Sequence, residues 1–302
     1  MSTVDADPIL HPDEQLGGDA DSSIGSVQFR AFAVTALANW SDLQHHLFLM
    51  TFDDKLGLAP PNNPDSKAKK VLDLGTGTGI WAIDYADEHP EADVTGVDLS
   101  PIQPDFVPPN LRFIIDDIDE DWEYDESFDY IHSRMMVFSI KNWEDYIRKI
   151  FKSLAPGGYI EIQEISGVLF SDDGTLTEDH ALLKWCKLLG EAFSKLGSTS
   201  IEFDRIKAIM KEAGFVDIVD TRFKWPTNPW PRDKKYKELG SWNNHNASGA
   251  LEALTMASFS RAHGWTREEV TMFLVDVRKD LNNPSIHAYN PICSIYAKKP
   301  DN

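Results

Sequence analysis

The sequence predicts an α/β protein: a doubly wound, mostly parallel, seven-stranded sheet with added N-terminal and C-terminal helices capping its ligand edge. Three observations predict it. Apolar strand-like runs alternate with helical stretches from Lys69 onward, the first strand runs into the glycine-rich turn "DLGTGTG", and a carboxylate, Asp98, closes the second strand. Strands and helices alternating at this spacing imply a mostly parallel sheet with helices on both faces. Right-handed crossovers then bring the C-terminal ends of the strands to one edge, where ligands bind.

The elements follow in order. Residues 1–25 hold six Asp or Glu and no Lys or Arg, which predicts a disordered acidic tail. Residues 26–60 form an N-terminal helical segment, in which "FRAFAVTALANW" and "SDLQHHLFLMTF" carry apolar residues at three- and four-residue spacing and Ser41 is a candidate N-cap. The Pro- and Asn-rich "LAPPNNPDSKAKK" is a linker into the main domain, residues 61–302. There "KVLDLG" is a buried strand and "GIWAIDYADEH" a helix. "ADVTGVDLS", "LRFIID" and "FDYIHS" are the next strands. "WEDYIRKIFKSLA" is a helix ended by "PGG", and "YIEIQEI" is the fifth strand. Two helical stretches then lead to the strand "VDIVDTRFKWP". A helical insertion over about 232–280 precedes the last strand, "IHAYNPICSIYAKKP". The insertion is longer than a hairpin needs and is the candidate substrate lid.

Composition limits the partners. The 49 Asp and Glu outweigh the 29 Lys and Arg, a formal net charge of −20. That balance argues against nucleic acid and against an anionic membrane, which both draw on clustered Lys and Arg. Cys186 and Cys293 lie far apart without metal-ligand spacing, so no metal site and no disulfide framework is expected. No apolar run reaches the roughly 18 residues of a membrane span. The expectation is a soluble cytoplasmic protein, with nuclear entry and a homodimer left open.

The glycine turn admits several ligands. A Walker loop would need Gly-Lys-Ser/Thr, which does not occur. The dinucleotide pattern G-x-G-x-x-G finds Ile80 at its third position counted from Gly75, but the tolerated Ala82 counted from Gly77, so spacing leaves NAD open. Asp73 weighs against it. A carboxylate inside the turn disfavours a pyrophosphate and favours a cation carrying ammonium and sulfonium groups, such as S-adenosylmethionine. Asp98, placed 19 residues past Gly79, can accept both ribose hydroxyls of an adenosine.

"VLDLGTGTGIWAIDYADEHP", "GVDLSPIQPDFVPPN", "FIIDDIDEDWEY", "FDYIHSR" and "LAPGGYIEIQE" resemble the successive motifs of class I S-adenosylmethionine-dependent methyltransferases. More narrowly they are similar to the fungal secondary-metabolism group that includes LaeA-like proteins. The resemblance runs from about Asp42 to the C-terminal "KKP" and implies a Rossmann-like fold with S-adenosyl-L-methionine as cofactor. It implies that Gly75, Thr76 and Gly77 pass beneath the methionine part of the donor and that Asp73 helps to hold its amino group. Asp98 takes the ribose hydroxyls, Leu99 packs on the adenine, Asp117 accepts the adenine amino group and Ile118 covers the ring. Ser133 and Arg134 border the methionine end. The chain departs from the group just before "DLQHH", where relatives often carry Arg-Leu and this sequence reads Trp40-Ser41.

Methyl transfer from a sulfonium is an in-line displacement that depends on positioning, and a hydroxyl acceptor gains from a nearby base. The candidate bases are His46, His45 and His245, with His132 after the fourth strand; His45 and His46 point about 100° apart on a helix, so one of them at most faces the cavity squarely. Arg134 and Gln163 are candidate acceptor contacts. Trp242, with Trp225, Trp230 and Phe259, could wall an aromatic pocket, against the commoner role of such residues in a core. The expected activity is O-methylation of a small aromatic or polyketide-like metabolite. Two alternatives stand beside it: a LaeA-like regulator working through protein partners, and the same fold with methyl transfer lost.

Overall fold

The computed structural model describes residues 2–5, 10, 41–124, 127–198 and 201–301. One sheet contains β1 (Ser2–Asp5), β2 (Lys70–Leu74), β3 (Asp93–Asp98), β4 (Leu111–Ile115), β5 (Phe128–Arg134), β6 (Leu154–Ile165), β7 (Val216–Pro226) and β8 (Tyr289–Lys298). Their spatial order is β1-β7-β8-β6-β5-β2-β3-β4. Every neighbouring pair is parallel except β6–β8 and β7–β8.

β2 to β8 are the seven predicted strands. β1 is an eighth, and it comes from the stretch expected to be disordered. Ser2–Asp5 pairs with Val219–Arg222, because the open edge of β7 offers main-chain donors and acceptors that a short extended segment satisfies. The rest of the acidic stretch, Leu10 excepted, lies outside the described residues, as does the predicted helical run 29–40.

The helices are α1 (41–51), α2 (Ile80–Glu88), α3 (Trp143–Ser153), α4 (Ala181–Lys195), α5 (Phe203–Ala213), α6 (Lys234–His263) and α7 (Arg267–Leu281). Three of the starts are written in the sequence as side-chain caps. Asn142 accepts the Asp145 amide at the head of α3, Asp233 accepts the Tyr236 amide at α6, and Thr266 with Glu269 forms a reciprocal capping box at α7.

The chain lays down β2, β3 and β4 toward one side and returns on the other side of β2 with β5. The switch point therefore falls between the ends of β2 and β5, where Asp73 pairs with His132 and Leu74 with Ser133. Side chains alternate across the sheet. Leu72, Leu74 and Ile131 point into a core with Tyr146 and Ile147 of α3 and Ile206 of α5. Val71 and Tyr130 point the other way, toward Trp81 and Tyr85 of α2. Asp73, His132 and Arg134 share this second face by the same alternation.

Two further clusters place the cap. Leu182, Leu189, Leu251, Phe259, Val270 and Leu274 give α4, α6 and α7 a core of their own. Leu47 and Phe48 of α1, with Phe52 just past its end, pack on Trp225 and Ile292, and the Trp225 indole donates to Thr51 Oγ1 at 2.7 Å. Of the two roles open to these aromatics, three of the four take the commoner one, in the core. Trp225, Trp230 and Phe259 are buried, and only Trp242 of the four is exposed, at 39%. Among the described residues no helix is long and apolar enough to cross a membrane, and no group of three His, Cys, Asp or Glu is arranged to hold a metal.

Candidate active site

The site begins where β2 gives way to α2. Gly75, Gly77 and Gly79 have φ of +70°, +57° and +82°, left-handed backbone that side chains resist. A Cβ at Gly75 would also stand 2.2 Å from Met136 Sδ, and one at Gly79 2.3 Å from the Phe113 ring. The Gly75 and Thr76 amides both donate to the Val97 carbonyl at 2.9 Å, which fastens the turn to β3.

Asp98 sits where β3 ends, and its carboxylate has one backbone partner on each oxygen. Gly77 N donates to Oδ2 at 2.8 Å and Ser100 N to Oδ1 at 2.9 Å. Each oxygen keeps a lone pair, and the side chain is only half-buried. Beside it Leu99 is 64% exposed, and Ile115, the register partner of Asp98 on β4, is exposed too. Asp117 is half-buried and accepts the Asp119 amide through Oδ1. Ile118 differs from expectation: it turns into the α3-side core. Gln103 was not singled out in the sequence, although it lies in the "DLSPIQP" block. Its amide donates to the Gly77 carbonyl at 2.6 Å and to the Ser100 carbonyl at 2.9 Å, tying the glycine turn to the loop after Asp98.

Asp73 is more enclosed than expected. Its carboxylate is buried and both oxygens are engaged: Thr76 Oγ1 donates to Oδ2 at 2.6 Å, and His132 Nδ1 lies 2.7 Å from Oδ1. His132 in turn stacks flat on Trp81, with ring centroids 3.7 Å apart. Ser133 faces the opposite side, because neighbouring residues of a strand alternate; its Oγ accepts from the Tyr146 hydroxyl at 2.8 Å. Gln163 shares a face with Arg134 but is buried under residues 56–59. Its amide donates to the Leu56 carbonyl at 3.0 Å and to Glu161 Oε1 at 3.1 Å, so the acceptor contact expected of it is not formed on an open surface.

α1 lies across this edge. Thr78 Oγ1 donates to Asp42 Oδ1 at 2.9 Å, so the start of α1 touches the glycine turn. His45 is buried between Asp84, whose Oδ2 is 2.9 Å from its Nε2, and Arg134, whose Nη1 is 3.1 Å from its Nδ1. Guanidinium only donates and carboxylate only accepts, so the ring is neutral with its proton on Nε2. Burial, reinforced by the Arg134 charge, holds its pKa below 6.5 against the pull of Asp84. With both nitrogens committed, His45 is a brace and not a free base. His46 is exposed and meets Trp242 of α6 edge-on at 5.0 Å. His245, three residues after Trp242 on α6, is exposed as well.

A methyltransferase-domain family model matches residues 43–220, more than half of the chain. The chain is a member of this methyltransferase family. It is 41% identical over 260 residues to methyltransferase pytC of Aspergillus terreus, covering 86% of this chain and 79% of that protein. It is 36% identical over 265 residues to the protein-methionine methyltransferase laeA of Emericella nidulans, covering 86% and 69%. Among solved structures, phosphoethanolamine N-methyltransferase 2 of Haemonchus contortus in complex with S-adenosyl-L-methionine superposes with a TM-score of 0.52 at 20% identity. That match covers 91% of this chain and 61% of the other, and at this identity it speaks for the fold alone. The methyltransferase family implies S-adenosyl-L-methionine as the cofactor. The residues present fit it: a glycine turn closed to side chains, a carboxylate with spare lone pairs and an exposed apolar neighbour lie together at the switch point.

Proposed function

We propose that this methyltransferase is an O-methyltransferase acting on a small aromatic or polyketide-like secondary metabolite, at a hydroxyl or carboxyl oxygen. When bound, S-adenosyl-L-methionine supplies an electrophilic methyl group on its sulfonium. Gly75, Thr76 and Gly77 support its methionine part. Asp98 accepts its ribose hydroxyls, Leu99 and Ile115 flank its adenine, and Asp117 receives the adenine amino group. Asp73 acts on the ammonium from behind Thr76 and His132, through its charge.

The observation that carries the acceptor reading is the pair His46–Trp242. His46 stands one helical turn from Asp42, on the same face of α1, and Asp42 touches the glycine turn. The pair therefore offers an imidazole beside an aromatic surface at the edge of the donor site. An imidazole there takes the proton of a phenol as its oxygen attacks; a carboxylate acceptor needs no such base. Turnover of labelled donor with a panel of phenols and aromatic carboxylic acids tests this. Methylation of phenols that falls at least tenfold in His46→Ala supports the reading; no turnover with any member of the panel overturns it.

A second reading rests on the likeness to the Emericella protein named as a protein-methionine methyltransferase. A methionine sulfur carries no proton to remove, so such a reaction is indifferent to His46. Methyl label appearing on protein methionine, unchanged in His46→Ala, favours this alternative.

A further inference from the structure

Arg134 is the unusual cation of this molecule. The chain carries 49 acidic residues against 29 Lys and Arg, and semi-buried cations such as Lys207 and Arg222 meet a carboxylate, both pairing with Asp220. Arg134 meets no carboxylate within ion-pair distance among the described residues. Its partners are the Nδ1 of His45, at 3.1 Å from Nη1, and the face of Phe48, 5.2 Å from its guanidinium carbon. One of its five N–H donors is therefore used. Burial pushes the guanidinium pKa down to about 10, and the more distant charges of Asp73 and Asp84 only partly offset that cost. Asp73 is already taken by Thr76 and His132, and Asp84 reaches Arg134 only through the neutral ring of His45. A guanidinium withdrawn from water without a carboxylate is expensive unless something completes it.

Its position says what completes it. Arg134 is the last residue of β5, one past the pair Ser133–Leu74, so it lies at the ligand edge next to the glycine turn and beneath α1. Among the described residues Nε and Nη2 have no acceptor, and neither is sealed off from solvent. A planar fork with two adjacent donors open is the geometry that takes a carboxylate bidentately.

We propose that Arg134 anchors a carboxylate in a subsite between α1 and the end of β5, with His45 as the brace that turns its free edge outward. The proposal deepens the methyltransferase reading of the same cleft and rests on it. The carboxylate comes from the methionine end of the donor or from the acceptor, and the chemistry of recognition is the same.

Equilibrium binding separates the sources. The probes are S-adenosylhomocysteine and its decarboxylated analogue, and, with S-adenosylhomocysteine bound, 4-hydroxybenzoate and 4-hydroxybenzamide. In the wild-type protein the carboxylate member of at least one pair binds at least tenfold tighter. That preference falls to within twofold in Arg134→Leu and is partly restored in Arg134→Lys. A preference in the first pair assigns the subsite to the donor, and in the second to the acceptor. The proposal is overturned if the wild-type protein discriminates in neither pair, or if the preference survives Arg134→Leu. Should Arg134→Leu fail to fold, Arg134→Lys decides, since a compact ammonium cannot reproduce the bidentate contact and leaves a preference reduced at least threefold; an unreduced one overturns the assignment. No arm requires turnover, so failure of the O-methyltransferase reading and failure of this one are seen separately.

Discussion

Gln103 Nε2 donates to the Gly77 carbonyl at 2.6 Å, while Gly77 N donates to Asp98 Oδ2 at 2.8 Å. The same glycine is thus held from both sides by the loop that carries the ribose carboxylate. In Gln103→Ala the two bonds from its amide are lost and the loop after Asp98 is free to drift from the turn. Donor affinity should fall by about 0.5–1.5 kcal/mol, roughly 2- to 12-fold, with little change in melting temperature. Calorimetric titration of S-adenosylhomocysteine checks this, and Asp98→Ala should cost more, about 1.5–3 kcal/mol.

Gly75 answers to two constraints at once, its φ of +70° and the Met136 sulfur 2.2 Å from where a Cβ would be. Left-handed backbone alone costs a side chain about 1–2 kcal/mol. Gly75→Ala should therefore lose donor binding and lower the melting temperature. Combining it with Met136→Ala, which removes the steric constraint and leaves the backbone one, should recover part of the donor affinity. A double variant no better than Gly75→Ala would show that backbone strain is the whole effect.

The His45 contact sets a pH limit. Burial keeps the folded imidazole below the ordinary 6.5, so in acid the unfolded chain binds its proton first. The stability due to this neutral brace is present above pH 6.5 and is lost as the pH falls below it. Protonated, His45 could no longer accept from Arg134 and would set one cation beside another. Melting curves from pH 7.5 to 5 should decline more steeply for the wild type than for His45→Gln.

Glu164 gives the opposite slope. It is buried on β6, where Oε1 accepts the Met136 amide at 2.6 Å and Oε2 has no partner; burial raises its pKa from 4.5 to about 8. Between those values the folded protein holds a proton that the unfolded chain has released, so this group's contribution to stability falls as the pH rises from about 4.5 to 8. Glu164→Gln should match the wild type near pH 4.5 and melt at a higher temperature than it at pH 8.

The sequence by itself determined seven of the eight strands and the glycine turn, and its resemblance to the methyltransferases gave the methyl-donor cofactor. Strand and helix periods are local, and positive φ at the glycines and the carboxylate closing β3 are properties of short segments. It could not tell which way Ser133, Gln163 and Ile118 would face, since alternation gives two faces but not which of them the cleft opens on. It could not separate His45 from His46, because that depends on where α1 docks, and Trp225, Phe48 and Ile292, far apart in the chain, decide it. The pairing of Asp73 with His132, 59 residues away, and the lack of a carboxylate beside Arg134 among the described residues exist only once β2, β5 and α1 are brought together. Burial and charge pairing are long-range quantities, and tertiary structure alone decides them.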